Sequence, residues 1–265
     1  MKKFALVIAI VLSVVTLTFA QSTPETYYIS FDGTKIYYEV QGSGYPVVLV
    51  HGFTNNSQSW KRGKLYQELL NHGYKVIIMD LRGNGRSGKP HTDAAYSNGA
   101  EAKDVMGLVS SLGIKRYAVV GYSRGSIITS RIMVLDKRVN KAVMGGMGAN
   151  YTNPNWPRRI HAYEALMGDT THHDVDEMMG WIHRNNFDNT ALAYQQKHQP
   201  STSAAELGKL RIPVLLIDGT EDDTNGDVTI LQKMIPGSKL INVPGNHDNA
   251  GNSIQFSTAV LNFLK

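Results

Sequence analysis

The sequence contains no cysteine. That removes thiol nucleophiles and thiolate metal sites, and leaves 265 residues to be held by their own core, which a chain of this length can bury without disulfides. Blocks of one charge are also missing. The formal net charge is +5, falling to +3 once Lys2 and Lys3 are set aside, and the excess is spread too thinly to favour nucleic acid as a partner. There is no low-complexity tract and no internal repeat. With 42% hydrophobic and 18% charged residues, the composition excludes disordered and fibrous classes. Long apolar runs are absent after residue 20, so no later segment is expected to span a membrane.

The single apolar run, Phe4 to Phe19, follows Met1-Lys2-Lys3 and ends at Ala20 before Gln21-Ser22-Thr23-Pro24. A basic start, an apolar middle and a small terminal residue predict a secretory signal cut after Ala20, although Thr18 departs from the usual small residue. The run is short for a spanning helix and carries Ser13, Thr16 and Thr18, which argues against an uncleaved anchor. The expectation is a secreted or periplasmic protein with no stable membrane insertion.

What is present is an alternation of short apolar strands and helices. Thr26–Phe31 and Lys35–Val40, joined by Asp32-Gly33, predict a hairpin. Strands follow at Pro46–Val50, Lys75–Asp80, Arg116–Val120, Lys141–Met144, Ile212–Ile217 and Ser238–Val243. Helices are predicted at Leu65–Asn71, Glu101–Leu112, Ser126–Leu135, Ile230–Ile235 and Ile254–Leu264. This rhythm implies an α/β fold with a mostly parallel sheet covered on both faces. It stops between Asn150 and Leu207, a mainly helical stretch with no strand-like run. The expected organisation is a core of residues 21–149 and 208–265 with a helical lid at 150–207, placed over the sheet's carboxyl edge.

The chemistry centres on Gly121-Tyr122-Ser123-Arg124-Gly125. A buried strand precedes it and a helix follows, so Ser123 falls on a sharp bend with its hydroxyl outward. The flanking glycines remove Cβ atoms that would collide in such a turn. Gly83-Asn84-Gly85-Arg86-Ser87-Gly88 also follows a strand and resembles a phosphate loop. It lacks the helix that would present N–H groups to phosphate, and Pro90 stands where a Mg²⁺-binding hydroxyl belongs. It reads as a structural turn shaping the pocket wall.

An activated serine needs a base, an acid to orient that base, and N–H donors for the oxyanion. The loop after the penultimate strand offers Asp218, Glu221, Asp222 and Asp223. Asp222, a few residues into the loop, is the expected acid, with Asp223 the close alternative and Asp218 still within the strand. His247, in the loop after the last strand, is the expected base. The N–H groups of Arg124 and Phe53 are the expected oxyanion donors. His51 suits a scaffold hydrogen bond.

Together, His51-Gly52-Phe53, Asp80-Leu81-Arg82-Gly83-Asn84-Gly85-Arg86-Ser87, the Ser123 elbow, the Gly219–Asp222 loop and Gly245-Asn246-His247 resemble the α/β-hydrolase superfamily across nearly the whole mature chain. The order Ser123, Asp222, His247 is the order of that superfamily. The resemblance implies a cofactor-free Ser–His–Asp hydrolase. It disfavours epoxide hydrolases and haloalkane dehalogenases, which carry Asp where this chain has Ser123.

In the lid, His172-His173-Asp174 with Asp176-Glu177 suggests metal ligands, but adjacent histidines point apart and no spaced partner is evident, so no metal site is expected. Trp156, Tyr163, Trp181, Met178 and Met179 are candidates to line an acyl pocket. The expected activity is cleavage of a carboxylic ester with a small or medium acyl group. Aminopeptidase-type hydrolysis and cofactor-free perhydrolysis share the same residues, and the former needs acidic lid groups, for which Glu164, Asp174, Asp176 and Glu177 are candidates. A non-catalytic ligand-binding protein on the same fold is the alternative of another class.

Overall fold

A computed structural model describes residues 26–265; the signal segment expected at 1–20 lies outside them. The hairpin forms as β1 (Tyr27–Ile29) and β2 (Lys35–Gln41), antiparallel with Tyr28 opposite Ile36. The chain continues through β3 (Pro46–Val50), α1 (Gln58–Arg62), α2 (Leu65–Asn71), β4 (Lys75–Met79), α3 (Ala100–Ser111), β5 (Tyr117–Tyr122), α4 (Arg124–Leu135) and β6 (Val139–Gly145). The insert holds α5 (Pro157–Leu166), α6 (Asp176–Arg184), α7 (Asn189–Lys197) and α8 (Ala204–Leu207). Then β7 (Val214–Gly219), α9 (Val228–Met234), β8 (Lys239–Val243) and α10 (Ile254–Leu264) complete the fold.

The eight strands make one sheet in the order β1-β2-β4-β3-β5-β6-β7-β8. β1 and β2, and β2 and β4, pair antiparallel; the other neighbours run parallel. Parallel strands are buried on both faces, and the side chains divide by parity. Val48 and Val50 enter one core cluster, with Leu108 of α3, Ile128 of α4 and Leu231 of α9. Val47 and Leu49 enter the other, with Trp60 of α1, Leu69 of α2 and Phe256 of α10. Each fully buried aliphatic side chain contributes about 1.5–3 kcal/mol relative to exposure.

Most element boundaries shift by one or two residues from the sequence reading, and two of the shifts have a visible cause. Helix α9 starts at Val228, because the Asp227 carboxylate accepts from the Thr229 N–H at 2.7 Å and caps it earlier. Strand β7 starts at Val214; Pro213, which has no N–H to pair, contributes only its carbonyl to Ala142 at 3.1 Å.

The registers align the strand ends that matter. Val50 lies opposite Gly121, Tyr122 opposite Gly145, and Gly219 opposite Val243. The loops after β3, β5, β6, β7 and β8 therefore open at one edge, where parallel α/β sheets bind ligands.

Candidate active site

Ser123 joins β5 to α4 at φ 54° and ψ −126°, a backbone conformation that non-glycine residues adopt at a cost. The bend is tied to the neighbouring strand. Ser123 N–H and Ser126 Oγ both donate to the Gly145 carbonyl at 2.8 Å. The two glycines answer a crowding problem. A Cβ on Gly121 would lie 2.3 Å from the Gly125 oxygen, and one on Gly125 would lie 2.1 Å from the Val50 oxygen.

His247, on the loop after β8, stands with Nε2 2.8 Å from Ser123 Oγ and Nδ1 2.7 Å from Asp222 Oδ2. The Tyr122 hydroxyl donates to the His247 carbonyl at 2.8 Å and holds that loop against the elbow. The Asp222 side chain is 3% exposed. Burial alone would raise its pKa, but hydrogen bonds from His247 and from the Thr224 backbone hold the carboxyl below its ordinary range. Asp222 is thus an acceptor for Nδ1–H, which leaves Nε2 free to accept from the serine. Asp223 is exposed and makes no hydrogen bond with His247. Asp218, half-buried in β7, makes none either. Burial, and then the negative Asp222, push its pKa up to about 7.

Arg124 is the first residue of α4, where the N–H has no intrahelical acceptor. Phe53 follows β3 on the facing loop, and both residues border the cavity that exposes Ser123. His51 is fully buried, and burial keeps its pKa low and its ring neutral. Nε2 accepts the Leu81 N–H at 3.0 Å, so Nδ1 donates to Gly52 O at 2.7 Å. This braces the loop after β3, which carries Phe53, against the end of β4.

Three supports of this loop were not evident in the sequence. The Arg124 guanidinium forms a buried two-point pair with Glu101 of α3, and its cation lies 5.9 Å from the Phe53 ring centre. Asn84 Nδ2 donates to Phe53 O at 2.7 Å. Gln195 of α7 donates in turn to Asn84 and to the Arg82 carbonyl. The Gly83–Gly88 segment is therefore a prop behind the Phe53 loop. None of its residues lines the cavity, so the expected role in the pocket wall is corrected. The turn is built around the Asp80 carboxylate, which accepts from the Ser57 and Arg86 N–H groups at 2.7 Å each.

The cavity above Ser123 measures about 400 Å³. Of the expected lid residues, Trp156 and Met178 line it. Tyr163 and Met179 pack instead on the lid's own small core of Leu166, Ile182, Leu192 and Ala193, and Trp181 is 47% exposed. The lining also includes Arg62, Arg158 and Arg159, which the sequence reading passed over; an Arg-Arg pair opening a helix was the available signal. On the lid, His172 and His173 do diverge, but His161 supplies the spaced partner that the sequence did not reveal. Its ring stacks on His172 at 4.1 Å, with Asp174, Glu164 and Asp169 close by. These groups pair with one another, as in His161–Asp174 at 3.0 Å and His172–Glu164 at 2.7 Å, and none lines the cavity.

The sheet order and a serine on a strand-to-helix bend at its carboxyl edge define the class. Residues 45–211 match the α/β hydrolase fold family, and the chain belongs to it. Over 117 residues it is 36% identical to the non-heme chloroperoxidase of Streptomyces lividans, covering 43% of this chain and 41% of that protein. The matched stretches of the most similar curated relatives span about two fifths of those proteins' length. In solved structures, a hydrolase from Pseudomonas aeruginosa PA01 superposes with a TM-score of 0.78 at 18% identity, covering 92% of this chain and 99% of that one. An esterase from Exiguobacterium antarcticum gives 0.75 at 22% identity, covering 91% and 99%. At these identities the structural likeness shows the fold.

Proposed function

We propose that this chain is an exported serine hydrolase that cleaves a carboxylic ester through an acyl-enzyme intermediate. The observation that carries the reading is the continuous path Ser123 Oγ, His247 Nε2, His247 Nδ1, Asp222 Oδ2, with steps of 2.8 and 2.7 Å, at the floor of a cavity. Ser123 Oγ attacks the ester carbonyl as His247 Nε2 takes its proton. Asp222 holds the imidazole in the tautomer that makes this possible and stabilises the imidazolium. The N–H groups of Phe53 and Arg124 bind the oxyanion, where one such donor is worth about 2.7–4 kcal/mol. His247 then protonates the leaving alcohol, and water, activated by the same imidazole, releases the acid. Export rests on the basic and apolar amino-terminal stretch, Met1 to Ala20.

A fluorophosphonate probe tests the reading. Ser123 should be labelled in the wild type and the label should vanish in Ser123→Ala; an unlabelled, folded wild-type protein refutes it and supports a non-catalytic binder. Perhydrolysis is the second reading, supported by the 36% identity to a non-heme chloroperoxidase. There peroxide replaces water in the second step, and peracid formation from acetate and hydrogen peroxide distinguishes it. The aminopeptidase reading loses support, since Glu164, Asp174, Asp176 and Glu177 are all absent from the cavity lining.

A further inference from the structure

The charges around the cavity are lopsided. Arg62, Arg124, Arg158 and Arg159 border it, against one carboxylate, Asp248, exposed on the His247 loop. Arg124 is neutralised by Glu101. Arg159 is held in place by carbonyls only, donating to Gln196 at 2.8 Å, Lys197 at 3.0 Å and Pro154 at 2.7 Å, so its charge has no acidic partner. Burial lowers its pKa without a counter-ion to compensate. Arg158 and Arg62 make no ion pair and no side-chain hydrogen bond among the described residues. They approach the cavity from different elements, Arg158 from the first turn of α5 and Arg62 from the end of α1.

The position of Arg158 and Arg159 is itself unfavourable for folding. Helix amino termini favour Asp and Glu, because unpaired N–H groups and the helix dipole make that end positive. The first turn of α5 has no acidic residue, and Trp156 before it provides no side-chain cap. Cations gathered at a positive helix end, unpaired and facing a cavity, attract an anion, and a planar guanidinium binds a carboxylate in a two-point fork. A low-dielectric cleft of one sign also draws oppositely charged substrates inward.

We propose that the substrate is an ester or lactone bearing a free carboxylate, with Arg158 as its main anchor and Arg62, from the end of α1, as a second cation beside it. This rests on the serine-hydrolase reading and narrows its substrate class. Asp248, the one carboxylate on the lining, disfavours a second negative charge, so monoanions are the preferred group.

The test is a pH-stat comparison of monomethyl succinate, glutarate and adipate with their dimethyl esters, in which only the charge is capped. Wild type should favour the monoanion of the best chain length by about tenfold or more in kcat/KM, the scale of one charge-assisted hydrogen bond. Arg158→Gln should reduce that ratio by about tenfold, Arg158→Lys should retain part of it, and 0.5 M salt should compress it in the wild type. Arg62→Gln should reduce it less. The inference is overturned if dimethyl esters are cleaved as well as monoanions, or if Arg158→Gln lowers both in parallel. Fluorophosphonate labelling separates the two failures. Labelling of Ser123 without carboxylate preference sinks only the substrate class, whereas a folded protein that neither labels nor cleaves either ester sinks the hydrolase reading as well.

Discussion

Replacing Asp222 by Asn tests the proposed division of labour most directly. The change keeps the shape of a side chain that is 3% exposed and sits 2.7 Å from His247 Nδ1. It removes the charge and places an amide group where only an acceptor suits Nδ1–H. If the amide donates to Nδ1, the imidazole proton moves to Nε2, which then faces Ser123 as a donor and no longer serves as a base. Loss of the correct tautomer in such an arrangement lowers kcat by about 10⁴, which corresponds to ~5.5 kcal/mol of transition-state stabilisation. Folding should change little: loss of the His247 and Thr224 interactions that hold the Asp222 carboxyl below its ordinary range is opposed by relief of its repulsion of Asp218, whose pKa burial and then the Asp222 charge raise to about 7. Steady-state hydrolysis of a p-nitrophenyl ester, with thermal unfolding at pH 8 beside it, reads both effects. The expected result is an inactive variant with a Tm close to wild type, next to an Asp223→Asn variant within about twofold of wild type in activity, the scale of a surface change. Near-normal turnover in Asp222→Asn, with a collapse in Asp223→Asn, would falsify the assignment of the acid.

Other consequences are open to measurement. Asp218 has a folded-state pKa above its unfolded value, so its contribution to stability is complete below about pH 4 and is lost as pH rises to about 7. Asp218→Asn should therefore gain stability over the wild type progressively from pH 5 to 8, by on the order of 1–2 kcal/mol in denaturant unfolding after solvent screening of this half-buried group; a gain confined to low pH refutes this. Gly125→Ala would force a Cβ to within 2.1 Å of a backbone oxygen, and should cost about 3 kcal/mol or more by denaturant unfolding. Gly113→Ala, where φ is +67° but nothing lies within 4 Å, should cost about 1–2 kcal/mol. Equal costs at the two glycines count against the crowding explanation. Arg124→Met leaves Glu101 buried without its cation and should destabilise by about 3–5 kcal/mol, whereas Arg124→Met with Glu101→Leu should recover most of that loss. A double variant no better than the single one rules out the buried charge as the cause.

Much of the architecture is written locally. Val47 to Val50, Val76 to Met79 and Val119 to Val120 are short apolar runs because a parallel strand is covered on both faces, and such runs are visible without coordinates. Ser123, Asp222 and His247 were also legible, since each lies just beyond a strand that the pattern marks, and the three are the residues found within hydrogen-bonding reach. Arg158 and His161 were not. His161 meets His172 and Asp174 from beyond the end of α5, Arg158 faces the cavity, and nothing in the neighbouring residues indicates which way α5 will face. The Gly83–Gly88 turn misled in a smaller way. Its spacing marks a tight turn, but only packing reveals that Asn84 reaches the Phe53 carbonyl rather than the cavity.

The strand-and-helix alternation, the elbow with its two small flanking residues, and the placing of Ser123, Asp222 and His247 just beyond successive strands are written in local sequence, because backbone sterics and hydrophobic periodicity act over a few residues. Tertiary structure decided the rest. It selected Asp222 over its neighbours by a 2.7 Å contact across the loops after β7 and β8. It set the Glu101–Arg124 pair beside the Phe53 ring and turned three further arginines towards one cavity. Those outcomes depend on which loops meet at the sheet's carboxyl edge, and strand register is a property of the whole sheet rather than of any one segment.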